Sequence, residues 1–128
     1  MNAKLFLTIV STAFSVFIFS QDNKKYEELI NIAEKYFDKS LYLKAAQTFS
    51  LAFLSNNDLG KVKHRYKAAI AWTSANYPDS AFMQLEKIVT KGKFKAYDLL
   101  ANDLSFATLH DDPRWPRLLQ KVKENQDL

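Results

Sequence analysis

The chain has 128 residues, with 18 Lys and Arg against 14 Asp and Glu for a net charge of +4, no Cys and two Gly. That composition excludes a disulfide scaffold, a thiolate metal site and any phosphate loop that needs several glycines close together. Apolar residues crowd into the first 20 positions, and residues 21 to 128 are enough for one domain with its own core.

Met1 to Ser20 places Lys4 ahead of a charge-free run from Leu5 to Phe19, and a small residue, Ser20, before the polar stretch that opens with Gln21-Asp22-Asn23. These are the three parts of a secretory signal. The apolar run is shorter than the roughly 17–25 residues of a spanning helix, and Thr8, Ser11, Thr12 and Ser15 dilute it further. A signal peptide over 1–20, cleaved after Ser20, is the expected reading, with no membrane span left in the mature chain. Ile18 occupies the outer small position of the cleavage rule, so an uncleaved N-terminal anchor stays open as the alternative. Either way the protein is exported, to the periplasm or out of the cell, and without Cys its stability has to come from packing.

From residue 21 onward apolar residues recur at three and four positions, and only Gly60, Gly92, Pro78, Pro113 and Pro116 interrupt them. The spacing predicts an all-α chain. Tyr26, Leu29, Ile30, Ile32, Ala33, Tyr36 and Phe37 mark a first helix, and Leu41, Leu43, Ala45, Ala46, Phe49, Ala52 and Phe53 a second. The link Asp38-Lys39-Ser40 is too short for anything but an antiparallel pair. After Asn56-Asn57-Asp58-Leu59-Gly60 a third helix runs through Tyr66, Ala69, Ile70 and Trp72. The turn Asn76-Tyr77-Pro78-Asp79 then leads into a fourth through Ala81, Phe82, Leu85, Ile88 and Val89. Gly92 is expected to end that helix in the left-handed conformation.

The two pairs repeat each other. Leu29-x2-Ile32-Ala33-x2-Tyr36 followed by Ala45-x3-Phe49-x2-Ala52 recurs, 36 residues on, as Arg65-x2-Ala68-Ala69-x2-Trp72 followed by Ala81-x3-Leu85-x2-Ile88. Small residues let the helices of a pair approach, and large ones fill the space beside them. This pattern resembles the tetratricopeptide repeat, a unit of about 34 residues, with Leu29 where the family has Trp, Ala33 for its Gly and Asn57 for its Pro. The resemblance implies hairpin 1 over 24–56 and hairpin 2 over 60–92, stacked as a short solenoid.

Residues 93–128 do not repeat the unit and are expected to form a capping tail of helices, one started by Asp103 and one by Asp112-Pro113, the latter carrying Trp115, Leu118, Leu119 and Val122. The tail also resembles the closing segment of exported bacterial tetratricopeptide proteins, particularly of the Bacteroidota.

No constellation for chemistry emerges. His64 lies among Lys61, Lys63, Arg65 and Lys67, which repel a cation and lower its proton affinity. His110-Asp111-Asp112 reads as a helix end followed by a cap rather than a ligand set. With no thiol, no Gly-x-Ser-x-Gly and no convergent carboxylate pair, no enzyme activity, metal or cofactor is expected. The positive charge forms no aromatic-interleaved stripe, which argues against nucleic acid; on a helix Lys61 and Arg65 share one side, Lys63 and Lys67 another.

In the family the first helix of each hairpin lines a concave groove for a peptide or partner segment. Carried over, that groove comprises Glu27, Ile30, Asn31, Glu34 and Phe37 from the first hairpin with Lys63, Tyr66, Lys67, Ile70 and Thr73 from the second. Ile30 and Glu34 stand where the family's carboxylate clamp has Lys and Asn, so that mode is not supported, while Lys63 and Lys67 suit an acidic partner. The expectation is a non-enzymatic protein-interaction module of the cell envelope. The alternative is a self-associating or complex-docking structural subunit with no peptide ligand.

Overall fold

The computed structural model describes residues 22–128, so the signal peptide expected over 1–20 lies outside the described residues. The described chain is all-helical, with its helices packed in adjacent pairs. In chain order these are α1 (22–38), α2 (Tyr42–Ser55), α3 (Val62–Ser74), α4 (Pro78–Thr90), the short α5 (Tyr97–Ala101), a 3-10 turn (Leu104–Leu109) and α6 (Arg114–Gln126). Among the described residues no helix is long and apolar enough to cross a membrane.

The turns of the two hairpins are built alike. After α1 the chain reverses through Ser40 at φ 59°, and after α3 through Asn76 at φ 66°. The Leu41 N–H donates to Tyr36 O at 2.9 Å, and the Tyr77 N–H donates to Trp72 O at the same distance, so each left-handed residue closes a helix end by the same wide bond. The sequence repeat therefore extends to the backbone. Pro78 then opens α4, where its missing N–H costs nothing.

Close helix approach follows from the alanines. Ala33, Ala45, Ala69 and Ala81 are fully buried, and the space they leave is filled by Phe49, Phe53, Phe82 and Leu85. Helix α3 serves both halves of the core: Ala68 and Ala71 pack toward α1 and α2, while Ala69 packs toward α4 and the tail, and Trp72 reaches both clusters. Adjacent residues of a helix point about 100° apart, so a helix between two partners buries neighbouring side chains in different directions.

The tail is helical as expected and shares one spacing with the hairpins. Leu118, Val122 and Asn125 are buried at the spacing x3, x2 that Ala45, Phe49 and Ala52 and then Ala81, Leu85 and Ile88 also keep. Helix α6 packs on α4, α5 packs against α6 and the 3-10 turn packs against α3, so residues 93–128 cover the side of the second hairpin that faces away from the first. Beyond that spacing the tail departs from the hairpins. Phe106 follows Ala69 by the same 37 residues that separate Leu118 from Ala81, so both small contact positions have become bulky and a continuous first helix gives way to α5 and the 3-10 turn. Asn125 sits where Ile88 does in the second pair, and its side-chain N–H donates to Val89 O at 2.8 Å and to Phe94 O at 3.0 Å.

Two helix ends also differ from expectation. The left-handed residue after α4 is Lys93, at φ 52°, and Gly92 has none of that conformation. Glycine is required at 92 for closeness: a Cβ there would lie 2.6 Å from Ile88 O and 2.8 Å from Val62 Cγ2. Helix α6 begins at Arg114, one residue after the expected proline, with the Arg114 N–H donating to Asp112 Oδ1 at 2.9 Å.

Candidate functional site

The basic residues at the start of α3 divide between two sides, because residues four apart share a face and residues two apart do not. Lys63 and Lys67, with His64, Tyr66 and Ile70, border a depression of about 310 Å³ that Glu34 of α1 completes. Five of these residues belong to the expected groove, so the depression is its core.

The remaining expected groove residues lie elsewhere. Ile30 is 2% exposed and packs in the first core cluster, and Thr73 is 9% exposed with its hydroxyl donating to Ala69 O, so neither is open to a ligand. Both fall one helical step off the solvent face, on the side that meets a neighbouring helix. Glu27 is engaged at the end of the groove, accepting from Lys61 Nζ at 2.8 Å. Asn31 is exposed, and Phe37 is half-buried under Lys67 Nζ, which lies 5.2 Å from its ring centre. The acidic and basic halves thus face one another across α1 and α3, with Lys67 Nζ 3.6 Å from Glu34 Oε1. Lys63 has no ionic or hydrogen-bonding partner among the described residues and is exposed.

Tyr66 ties the groove to the tail. Its ring packs edge-on to Phe106 at 5.4 Å and lies 5.9 Å from Phe94, and its hydroxyl donates to Asp103 at 2.5 Å. Burial, and then the bond to Asp103, raises the Tyr66 phenol above its ordinary value. Burial opposes ionisation of Asp103, but hydrogen bonds from Tyr66 and Ser105 outweigh it and hold the carboxyl low. The tail therefore packs against Tyr66 on the α3 wall of the depression.

His64 belongs to the site and was missed from sequence, although it stands three residues before Lys67 and so shares its face. It is 6% exposed, with Nδ1 2.7 Å from the Tyr26 hydroxyl, which in turn accepts from the Lys61 N–H at 3.1 Å. Neutral His64 accepting at Nδ1 satisfies both partners. Burial first, and the Lys63 charge second, push the imidazole below the ordinary histidine range. The sequence had assigned that shift to neighbouring charge alone.

Because the unfolded chain takes up the His64 proton before the folded one does, stability is complete above the unfolded value of about 6.5 and falls as pH drops toward the folded value. Urea melts at pH 7 and pH 5.5 check this: His64→Gln is expected to lose less stability across that interval than the parent chain.

The remaining sequence candidates are occupied in other ways. His110 packs at a tilt against Trp115 with ring centres 4.7 Å apart. Asp112 is held by Arg114, whose guanidinium and backbone N–H keep its carboxyl at about 2. Among the described residues no three acidic or histidine side chains gather as metal ligands. No family model, no curated protein and no solved structure matches this chain.

One element had no counterpart in the sequence reading. Arg65, which takes the place of Leu29 in the second pair, is 5% exposed. Its Nη1 donates to Gln84 Oε1 at 2.8 Å, its Nη2 donates to the Asp58 carbonyl and carboxylate, and its guanidinium lies 4.4 Å from the Phe53 ring centre. The only sequence signal was a charged residue in an apolar slot.

Proposed function

We propose that this protein is a non-enzymatic interaction module of the cell envelope, holding an acidic peptide or protein segment in the groove between α1 and α3. The observation that carries this reading is the position of Lys63: exposed, without a partner among the described residues, and beside Lys67 on one wall of a concave surface. An acidic side chain entering there gains the unpaired ammonium and competes only with the long Lys67–Glu34 contact. Half-exposed pairs of that length contribute little, so exchange is cheap. The tetratricopeptide resemblance supports the choice of the α1 and α3 faces, and the export segment supports the compartment. The groove is short, so affinity rests on few residues and is modest.

The test is capture of partners from envelope extract by the parent chain and by a Lys63→Glu, Lys67→Glu variant. The variant is expected to melt within about 0.5 kcal/mol of the parent and to lose the captured protein. Equal capture by both would remove the groove from the account.

A second reading rests on α2. Leu43, Leu51 and Leu54 are exposed, Leu54 at 69%, and helical geometry sets them within about 80° of one another on the side opposite its core residues. A self-associating subunit would use this row, and light scattering over a concentration series would register it as a rise in mass.

A further inference from the structure

The chain has two glycines, and both line one recess. It lies between the loop after α2 and the end of α4, has a volume of about 340 Å³, and is bordered by Leu59, Val62 and Ile88 with Lys61, Arg65, Lys87 and Lys91. None of its lining residues belongs to the α1–α3 groove. Asp58 is the one acidic residue of the wall, and it is already claimed by Lys87 Nζ at 2.6 Å and by Arg65. Lys61 is engaged by Glu27 on the rim. Lys91 is exposed and has no partner among the described residues, and the Nε–H of Arg65, a residue only 5% exposed, donates to none of them.

Both glycines are set by close packing at the wall: a Cβ at Gly60 would lie 2.6 Å from Phe53 Cδ1 and 2.9 Å from Arg65 Nε, and one at Gly92 would press on Ile88 O and Val62. Helix α3 adds to the positive field, since it starts with no capping side chain and no acidic residue in its first turn. Cations at the positive end of a helix are locally unfavourable, and departures of this kind concentrate where a site is built.

We propose that this recess binds a carboxylate carried on a short aliphatic body, the anion between Lys91 and the Arg65 Nε edge and the body against Leu59, Val62 and Ile88. The volume lies near the lower end of small-molecule sites, which fits a short chain and not a long acyl tail. A free medium-chain fatty acid and the carboxyl end of an apolar peptide share this chemistry. The site lies outside the groove, so it stands or falls separately from the function proposed above.

The untagged protein labelled with 15N-glycine has two backbone signals, Gly60 and Gly92, and both report on the recess. Octanoate and N-acetyl-Ala-Leu with a free carboxyl group are the anionic probes, octanamide the neutral control and inorganic phosphate the anion without a body. At least one carboxylate probe is expected to move both signals saturably, and the tighter of the two identifies the source. Lys91→Glu is expected to weaken that binding about tenfold or more, as like charges are brought together, while the Lys63→Glu, Lys67→Glu variant binds as the parent does. Unmoved glycine signals overturn the proposal. So do octanamide matching octanoate, phosphate matching the carboxylates, or Lys91→Glu binding undiminished.

Discussion

Arg65→Ala is expected to lower the unfolding free energy by about 2–4 kcal/mol, from the loss of its buried stem and of hydrogen bonds to groups that remain enclosed. Gln84 is 6% exposed and would keep an unpaired amide, and the Asp58 carbonyl would lose its donor. The Asp58 carboxylate keeps Lys87 and is 44% exposed, so its share of the loss is small. The cause can be separated from simple truncation. Arg65→Leu with Gln84→Leu removes both ends of the buried bond and restores to α3 the residue type that α1 carries at Leu29, so the double variant is expected to recover most of the loss. Urea denaturation of the two single variants and the double gives the coupling directly. A single-variant cost below about 0.5 kcal/mol, the level of an ordinary surface change, would mean that Arg65 is not enclosed as described.

The hairpins were legible because two signals agreed at one period, the apolar positions and the small residues at the helix contact, whereas the matching turns at Ser40 and Asn76 emerged only from the backbone. The basic faces were legible for the same reason, since the 100° step alone puts Lys61 with Arg65 and Lys63 with Lys67. Ile30 and Thr73 were not, because an inner helix of a stack touches more than one neighbour and buries side chains beyond a single stripe. Arg65 and Gln84 were illegible in a deeper sense. Charged and amide residues are read as solvent-facing by default, and only the partner supplied by another helix shows that they are enclosed. The recess beside them is formed by segments far apart in sequence, Asn56 to Val62 and Lys87 to Gly92, whose meeting is a product of the stack.

Phe106 tests whether the tail is a loose cap or part of the same folded unit. It is fully buried, packs edge-on to Tyr66 of α3 and lies 5.9 Å from Trp115 of α6, so Phe106→Ala is expected to cost about 3–5 kcal/mol. The distribution of that loss matters more than its size. The chain has two tryptophans, Trp72 in the second hairpin and Trp115 in α6, so Trp72→Phe and Trp115→Phe backgrounds give one fluorescent reporter on each side. A loosely attached cap would melt at Trp115 while Trp72 stayed folded. Phe82, Leu85 and Val89 share one cluster with Phe106, Leu118 and Val122, however, and losing the tail would uncover them. Both reporters are therefore expected to shift to the same lower midpoint in Phe106→Ala, as for one cooperative unit. That outcome would also make Tyr66, and with it the α3 wall of the groove, dependent on the tail for its position.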